Sequence, residues 1–377
     1  YGLFQLVPLP TVLLKAIHPA LKTLLALPTL PAAAVAPDAA SAQPIASLPM
    51  FHSISVYPFA TELELAHVAI YLMVFLMAAF GFHDKEDVRI LIRMLVFFGF
   101  ILAIFAIVQR ATWNEKIYWF SAISNPRAQP FGPFVNKNHY AGWINMIFPF
   151  ALAAGFTAAT LDRKIRYLLY GLAMAVTVFF SLSRGGVMAF FAGVFVFCLF
   201  VLSAKTSRRR FIPILLFVAV LIAFLAYLGV SPLLERFSQL DIPHHERVTV
   251  WKATLGAFLD FPVFGSGIGT YGHAFKLYHP ATWYFYDMAH NDYVQLLMEA
   301  GVVGTALVTA FIILVLKIFV SSEWTERETY LKGAFFASFT TIAFHSIMDF
   351  NLHIPSNAIL LALLAGLSVS LSRLNEE

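Results

Sequence analysis

The sequence predicts an all-α, polytopic integral membrane protein, a bundle of apolar helices with one large loop between late spans. Hydrophobic residues make up 60% of the 377 and charged residues only 12%, whereas soluble domains are about half apolar and about a quarter charged. Apolar runs of about 20 residues, the length that crosses a hydrocarbon core, recur along the chain. One long polar, aromatic and turn-rich stretch, 231–291, interrupts them.

The first 60 residues differ from the rest. Five prolines break residues 1–31 into pieces too short to span, so we expect short amphipathic segments on the membrane surface. Residues 32–47 are small and low in complexity, which is typical of a flexible linker. We predict that 1–60 face the periplasm. Because the sequence starts with Tyr1 and shows no signal peptide, we expect the natural chain to extend upstream.

The remaining apolar runs predict nine transmembrane helices, which divide into the groups 61–230 and 292–377. Serine, arginine and glycine residues within 181–186 predict a tight turn between two of these spans. The predicted spans are 63–82, 89–109, 139–160, 166–182, 186–204, 211–230, 292–318, 330–348 and 355–372.

Basic residues predict the orientation. They concentrate in alternate connections, around 85–93, 163–166, 205–210, 317–332 and after the last span. Short loops rich in Lys and Arg face the cytoplasm. The loops at 110–138, 181–186, 231–291 and 349–354 are therefore expected outside the cytoplasm, which is the periplasm if the cell is Gram-negative.

His290 closes the large loop where it meets the next helix. Histidine side chains exchange protons close to neutral pH, so an imidazole can accept a proton from a hydroxyl group. Either His290 or Asn291 could instead only cap that helix. We predict a catalytic base at His290 because other unusual polar groups converge on the same loop end.

Two arginines are predicted to bind phosphate. Arg184 lies in the turn SLSRGG at the outer end of two spans, and Arg247 begins an amphipathic segment of the large loop. Guanidinium groups bind phosphate oxygens in a bidentate manner, so this pair would suit a diphosphate at the lipid surface. Contact with lipid headgroups is the alternative for each arginine.

Further polar residues are predicted to bind substrate. Asn138 is placed to cap the helix that follows it, and Lys137 and His139 beside it would complete an anion site. Glu299 lies inside an apolar helix, which indicates function, although it could instead pair with an arginine. His345 and Asp349 share a helix face, either around the site or as a buried pair. The predicted set is Lys137, Asn138, His139, Trp251, Tyr293, Gln295, Glu299, His345 and Asp349.

Other patterns predict no cofactor and no metal. Gly301 and Gly304 have the small-residue spacing of close helix packing. FGSGIGTYG lacks the flanking strand and helix of a dinucleotide site. His244, His245, His273 and His279 match no standard metal-ligand spacing, and Cys198 is the only cysteine.

The ordered motifs GPFVNKNHYAGWINM, SLSRGG, ERVTVWKATLGAFLDFPVFGSGIGTYG, AHNDYVQLLMEAGVVG and HSIMDFNLHIP resemble the O-antigen ligase and polymerase superfamily over about residues 130–355. The resemblance implies an inner-membrane glycosyltransferase that moves a glycan from undecaprenyl diphosphate to an acceptor hydroxyl, without a metal. It implies functional roles for Arg184, Arg247 and His290. Residues 1–60 match nothing specific in the family.

The expected function is therefore glycan transfer of the O-antigen ligase type, with lipid A core sugar as the acceptor and no nucleic-acid partner. A polymerase of O-antigen or exopolysaccharide and a protein O-oligosaccharyltransferase remain open within the superfamily. A secondary transporter is the alternative of another class, although the sequence shows no repeated halves.

Overall fold

The structure is a computed structural model of the chain, and it describes residues 1–17, 51–123, 128–203, 211–228, 241–278, 286–325 and 328–376. The chain forms two compact units. Tyr1–Ala69 and Pro243–Ile313 make up the first unit, and Ile70–Ile242 and Leu314–Glu377 make up the second. The predicted linker at 32–47, the basic loop at 205–210 and His279 lie outside the described residues.

Helices dominate the described residues, as the composition predicts. They are α1 (Gly2–Leu6), α2 (Thr11–Ile17), α3 (Pro58–Phe80), α4 (Lys85–Ala111), α5 (Lys137–Thr157), α6 (Leu161–Phe180), α7 (Arg184–Ser203), α8 (Phe211–Leu228), α9 (Asp241–Asp260), α10 (Tyr271–Ala274), α11 (Asp292–Ser321), α12 (Thr329–His345) and α13 (Pro355–Glu376), with 3-10 turns at Phe275–Leu277 and Asn351–His353. Two short antiparallel sheets pair β1 (Pro8–Pro10) with β2 (Phe51–Ser53) and β3 (Lys116–Ile117) with β4 (Ser121–Ala122).

Each predicted span coincides with a helix. Within the described residues, α3, α4, α7, α11 and α13 are long and apolar enough to cross a membrane. Their exposed side chains include Met77, Phe98 and Phe195, which suits contact with lipid. The all-α, polytopic fold is confirmed, and the crossing of the other four helices stays a prediction. The span predicted at 330–348 ends earlier, at His345, because the chain turns over 346–348.

The second unit is built around α5. Nearly every residue from His139 to Gly155 is buried. Helices α4, α6, α7, α12 and α13 all contact α5, and α12 packs most extensively against α7. Phe148, Phe150 and Phe335 lie in the resulting core. A helix that is apolar on all sides belongs at the centre of a bundle, as α5 does.

The connections between the helices of the second unit lie at two opposite ends of its helix bundle. One end carries the basic starts of α4 and α6 and the segment before α12, which together line one cavity. The other end carries the start of α5, the turn between α6 and α7, and the turn after α12, which are joined by hydrogen bonds. This separation agrees with the alternation of basic and polar loops in the sequence.

The first unit packs α9, α10 and the start of α11 around a small core. Val250, Tyr271, Phe275, Ala289 and Met298 form this core. A second cluster joins Leu14 and Ile54, so the short sheet of β1 and β2 is part of the same unit.

Residues 1–17 pack more closely than the proline-rich sequence indicates. The sequence analysis expects surface pieces here, yet the Gln5 side chain is fully buried. The prolines at 8 and 10 begin and end β1, an edge position that suits a residue without a backbone donor.

Candidate active site

Helix α11 is broken at Gly301, where φ is 62° and ψ is −171°. Only glycine adopts this conformation readily. A Cβ at this position would lie 2.5 Å from Gly265 N and from Val263 O. The expectation that Gly301 serves helix packing is therefore wrong, because the glycine ends one helical segment and lets a loop approach its backbone.

The glycine loop, residues 261–270, completes the hydrogen bonding at this break. The N–H groups of Ser266 and Gly267 donate to the helix carbonyls of Met298 and Glu299, at 2.9 and 3.0 Å. In return, the N–H groups at 302 and 303 donate to loop carbonyls at 262 and 263, at 2.9 and 3.2 Å. Glycines at 265, 267 and 269 with positive φ allow this path. The glycine-rich motif is thus a structural loop.

Two residues from the start of the chain cover the same break. Gln5 Nε2 donates to Phe264 O at 2.7 Å and to Glu299 O at 3.0 Å, while its Oε1 accepts from Ile268 N at 3.1 Å. The Tyr1 hydroxyl donates to Phe264 O at 2.8 Å. Buried backbone groups need such partners, so Gln5 stabilises the loop against the helix.

Glu299 holds the end of the glycine loop. Its two carboxylate oxygens accept from Gly269 N at 3.0 Å and from Tyr271 N at 2.8 Å. Gln295 Nε2 donates to the same carboxylate at 3.4 Å. Burial, together with the negative charge of Glu299, raises the pKa of Tyr271. These contacts give the intramembrane carboxylate a structural role that the sequence did not indicate.

His290 lies in the left-handed region, with φ of 52°, directly before α11. Asn291, and not His290, caps the helix, since its Oδ1 accepts from the N–H groups of Tyr293 and Val294 at 3.0 and 3.1 Å. A non-glycine residue with positive φ is uncommon and costs about 1–3 kcal/mol. Tyr293 is about half exposed beside it.

Side chains bind both backbone groups of Ala289, the residue before His290. Trp251 Nε1 donates to Ala289 O at 3.0 Å, and Ala289 N donates to Gln295 Oε1 at 3.0 Å. Within the first unit, the structure therefore brings Trp251 and Gln295 to the segment before His290. Arg247 is one turn before Trp251 on α9, a spacing that places two residues on the same face of a helix.

His273 lies on the same unit, in α10. Its ring stacks on Tyr57, with ring centroids 4.1 Å apart. Burial, and then the positive charge of Lys276, lower its pKa. His244 and His245 belong to α9, three and four residues after its first residue, Asp241. Among the residues that the structure describes, no group of three or more His, Cys, Asp or Glu side chains is arranged to hold a metal ion.

A second polar cluster lies in the second unit, where Asn138 joins three segments. Its Nδ2 donates to Asp349 Oδ2, and its Oδ1 accepts from Ser183 Oγ at 2.7 Å. His139 Nε2 lies 4.0 Å from Asp349 Oδ1. Asp349 and Ser183 are fully buried, so these bonds fix the segments to each other in an apolar surrounding.

The cap of α5 is not the predicted one. Asn136 is the N-cap, because its Oδ1 accepts from Asn138 N at 2.9 Å. The prediction of Asn138 as the cap is therefore wrong by two residues, since the chain is already helical at Lys137. Lys137 instead lines a cavity of about 490 Å³ with Arg110, Trp113 and the turn at 181–182.

Arg184 begins α7, directly after this cluster. Ser183 Oγ also accepts from Gly186 N at 3.1 Å, and this bond supports the first turn of α7. A Cβ at Gly185 would lie 3.2 Å from His345 Nε2, so glycine allows His345 to pack against that turn. His345 thus contacts the Arg184 segment, and Asp349 contacts Asn138 and His139.

An apolar groove of about 690 Å³ in the second unit includes His139 of this cluster in its lining. Phe98, Phe105 and Trp143 line its length, and His139 and Ser356 lie at one wall. The groove therefore combines an aromatic surface with polar groups at the same end of the second unit.

The sequence did not identify three residues of these clusters. Gln5 fixes the glycine loop, Ser183 joins Asn138 to α7, and Asn357 Nδ2 donates to His139 O at 3.1 Å. Gln5 is a single polar residue within an apolar run, which is the signal that could have identified it.

A comparison with protein families identifies part of the chain. Residues 169–309 match the model of the family described as O-antigen ligase. This region is similar to the O-antigen ligase family. The match confirms the resemblance seen in the ordered motifs, and it indicates a membrane glycosyltransferase of the ligase or polymerase type. A comparison with curated proteins found no match.

The matched region includes seven of the predicted site residues and ends before two others. Arg184, Arg247, Trp251, His290, Tyr293, Gln295 and Glu299 lie within 169–309. Lys137, Asn138 and His139 precede the O-antigen ligase match, and His345 and Asp349 follow it.

Proposed function

We propose that the protein transfers a glycan from undecaprenyl diphosphate to an acceptor hydroxyl, with a sugar of the lipid A core as the acceptor. The observation that carries this proposal is the O-antigen ligase match, because all three residues predicted to be catalytic lie within residues 169–309. We propose the bacterial inner membrane as the location, with the large loop in the periplasm, in agreement with the basic residues of the alternate loops.

His290 is the proposed general base. It takes the proton of the acceptor hydroxyl while that oxygen forms a bond to the anomeric carbon of the donor glycan. The bond between this carbon and the diphosphate oxygen breaks with inversion, and undecaprenyl diphosphate leaves with the bonding electrons. A positioned base contributes about 10²–10⁴-fold to such a step. The positive φ of His290, with the cap supplied by Asn291, supports this role, since backbone strain concentrates at functional residues.

Arg247 and Arg184 are the proposed partners of the diphosphate. Negative charge develops on the leaving diphosphate, so guanidinium groups that bind it would stabilise the transition state. Arg247 lies on the face of α9 from which Trp251 reaches the segment before His290, which supports a role close to the base.

The groove in the second unit supports a lipid donor. Its aromatic lining of Phe98, Phe105 and Trp143 suits a polyprenyl chain, and His139 of the polar cluster is part of the same lining. We propose that this groove holds the lipid part of the donor. Lys137, Asn138 and His139 would then contact the head of that lipid.

Transfer by the purified protein tests the proposal. The full chain in nanodiscs would receive undecaprenyl-diphosphate glycan and one acceptor at a time: lipid A core, a growing glycan, or a protein with serine and threonine. We expect a mobility shift of lipid A core and at least a 100-fold loss of rate in His290→Ala. Transfer to a growing glycan or to protein alone would identify a polymerase or a protein glycosylating enzyme instead.

Two control variants sharpen this test. His83→Ala removes an exposed histidine between α3 and α4, and it should transfer glycan at the rate of the unchanged protein. Arg247→Lys keeps the charge but loses the planar donor pair, so it should fall between Arg247→Ala and the unchanged protein. Full activity of both His290→Ala and Arg247→Ala would refute the roles assigned here.

A further inference from the structure

A cavity of the second unit lies at the end opposite the Asn138 cluster. Its volume is about 740 Å³, and the C-terminal part of α5, from Ala153 to Thr157, forms one wall. At about 1.5 Å per residue, this wall lies roughly 20–30 Å along α5 from Asn138, which approaches the thickness of a hydrocarbon core. The cavity is therefore separate from the groove and the polar cluster described above.

Four arginines from two connections line this cavity. Arg89 and Arg93 come from the start of α4, and Arg163 and Arg166 from the start of α6. Basic residues at this end are expected from membrane orientation alone. That bias explains their number, but it does not require them to converge on one cavity.

Glutamates hold two of the four guanidinium groups in place. Arg89 Nη2 lies 2.7 Å from Glu328 Oε1, and Arg93 Nη2 lies 2.5 Å from Glu86 Oε1. Both carboxylates also line the cavity. The ion pairs order these arginines before any ligand binds, which lowers the entropy lost on binding.

Arg163 carries the positive charge that is not balanced locally. Arg166 is paired with Asp162 at 2.6 Å, whereas Arg163 has no ion pair within the described part of the chain. Helix α6 also begins beside it, after Thr160, without a hydrogen bond from a capping side chain. A guanidinium group and a helix start together favour a phosphate group.

The inner part of the cavity is apolar. Ile92, Phe150 and Ala153 line it and are almost completely buried, and Leu331 completes this surface. A ligand that fits must therefore combine an anionic head with an apolar body. Basic pockets between membrane helices bind the headgroups of anionic lipids in this way.

We propose that this cavity binds an anionic phospholipid, with the phosphodiester at Arg163 and Arg93 and an acyl chain against the apolar surface. The site is distinct from the proposed transfer site, and its occupancy does not depend on glycan transfer. The lipid would fix the starts of α4 and α6 to the segment before α12.

Lipid titration followed by native mass spectrometry tests this site on the full chain in neutral detergent. Phosphatidylglycerol should bind about tenfold more tightly than phosphatidylcholine with the same acyl chains. Arg163→Gln should weaken phosphatidylglycerol binding about tenfold. Arg163→Lys should weaken it less. Lys164→Gln removes the same charge from the neighbouring position, which does not line the cavity, and should leave binding unchanged.

Three results would overturn the proposal. The first is equal affinity for phosphatidylglycerol and phosphatidylcholine. The second is a loss of phosphatidylglycerol affinity in Lys164→Gln equal to that in Arg163→Gln, which would indicate a general effect of surface charge. The third is displacement of phosphatidylglycerol by inorganic phosphate at the same concentration as the lipid. Unfolding temperatures of Arg163→Gln and Lys164→Gln without lipid should agree, so that a folding defect does not imitate lost binding. His290→Ala should bind phosphatidylglycerol normally, which separates this site from the proposed catalysis.

Discussion

Replacement of Trp251 by phenylalanine would test whether the hydrogen bond before His290 positions the proposed base. Trp251→Phe keeps an aromatic ring but removes the Nε1 donor, which lies 3.0 Å from Ala289 O. Ala289 is fully buried, so its carbonyl would lose a partner that water does not readily replace. An unsatisfied buried carbonyl costs about 1–3 kcal/mol.

The free-energy cost of the unsatisfied Ala289 carbonyl sets the expected loss of rate. If this cost acts entirely by displacing His290 from its reactive position, glycan transfer should slow by roughly 5- to 150-fold. Steady-state kinetics distinguish positioning from substrate contact. A positioning role lowers kcat and leaves KM for the acceptor unchanged, whereas a direct contact with the acceptor raises KM.

Trp324→Phe is the matched control. Trp324 Nε1 donates to Ser322 Oγ at 2.7 Å, and the residue belongs to the second unit, before α12. The same chemical change there should leave transfer unaffected. An unchanged kcat in Trp251→Phe, or an equal loss in Trp324→Phe, would refute the positioning argument.

Three further predictions concern stability, each measured by thermal unfolding in detergent. Gly301→Ala should destabilise by about 3–5 kcal/mol because of its positive φ and the 2.5 Å approach of loop atoms, whereas Gly256→Ala, with open space around it, should stabilise by about 0.5–1 kcal/mol. If Gly301→Ala and Gly256→Ala changed stability by the same amount, the reasoning that the break in α11 requires glycine would be refuted. Glu299→Gln should destabilise by about 1–3 kcal/mol, since the amide keeps one acceptor for two backbone N–H groups; unchanged stability would show that the loop is held otherwise. His273, with its lowered pKa, favours folding most above its ordinary value near 6.5, so stability should fall as the pH drops below about 6.5, and less so in His273→Gln. An equal fall in His273→Gln would assign the effect to other groups.

The sequence predicted the helices well because their signal is local. Apolar runs of spanning length fall on α3 to α8 and α11 to α13. The turn predicted at 181–186 is shorter than expected, because Arg184, Gly185 and Gly186 already belong to α7. The order of polar motifs was likewise sufficient to identify the O-antigen ligase family, which the match over residues 169–309 confirms.

The break in α11 could not be predicted in the same way. Gly301 interrupts an apolar run that is otherwise continuous, and a single glycine is tolerated within many helices. What ends the helix is a loop about 35 residues earlier in the chain, whose N–H groups take the carbonyls of Met298 and Glu299. Contacts between residues so far apart in the chain produce no periodic pattern in the sequence from which they could be predicted.

The hydrogen-bond partners of individual polar residues could not be predicted for a similar reason. The polar character of Asn138 and Glu299 was evident, but their partners were not, since Asp349 and the N–H groups of Gly269 and Tyr271 lie far away in sequence. The cap of α5 was misassigned between two asparagines because both precede the same apolar run.

The hydrogen bonds of Gln5 to the glycine loop and to α11 have a consequence for chimeric enzymes. Exchanging the 169–309 region between homologues would be the natural way to build such a chimera, since the family match ends at those borders. Yet the carbonyls of Phe264 and Glu299 inside that region each accept a hydrogen bond from the Gln5 side chain, and Ser266 O accepts one from Val56 N. The smallest transplantable cassette therefore contains the segments around residues 1–14 and 51–61 as well.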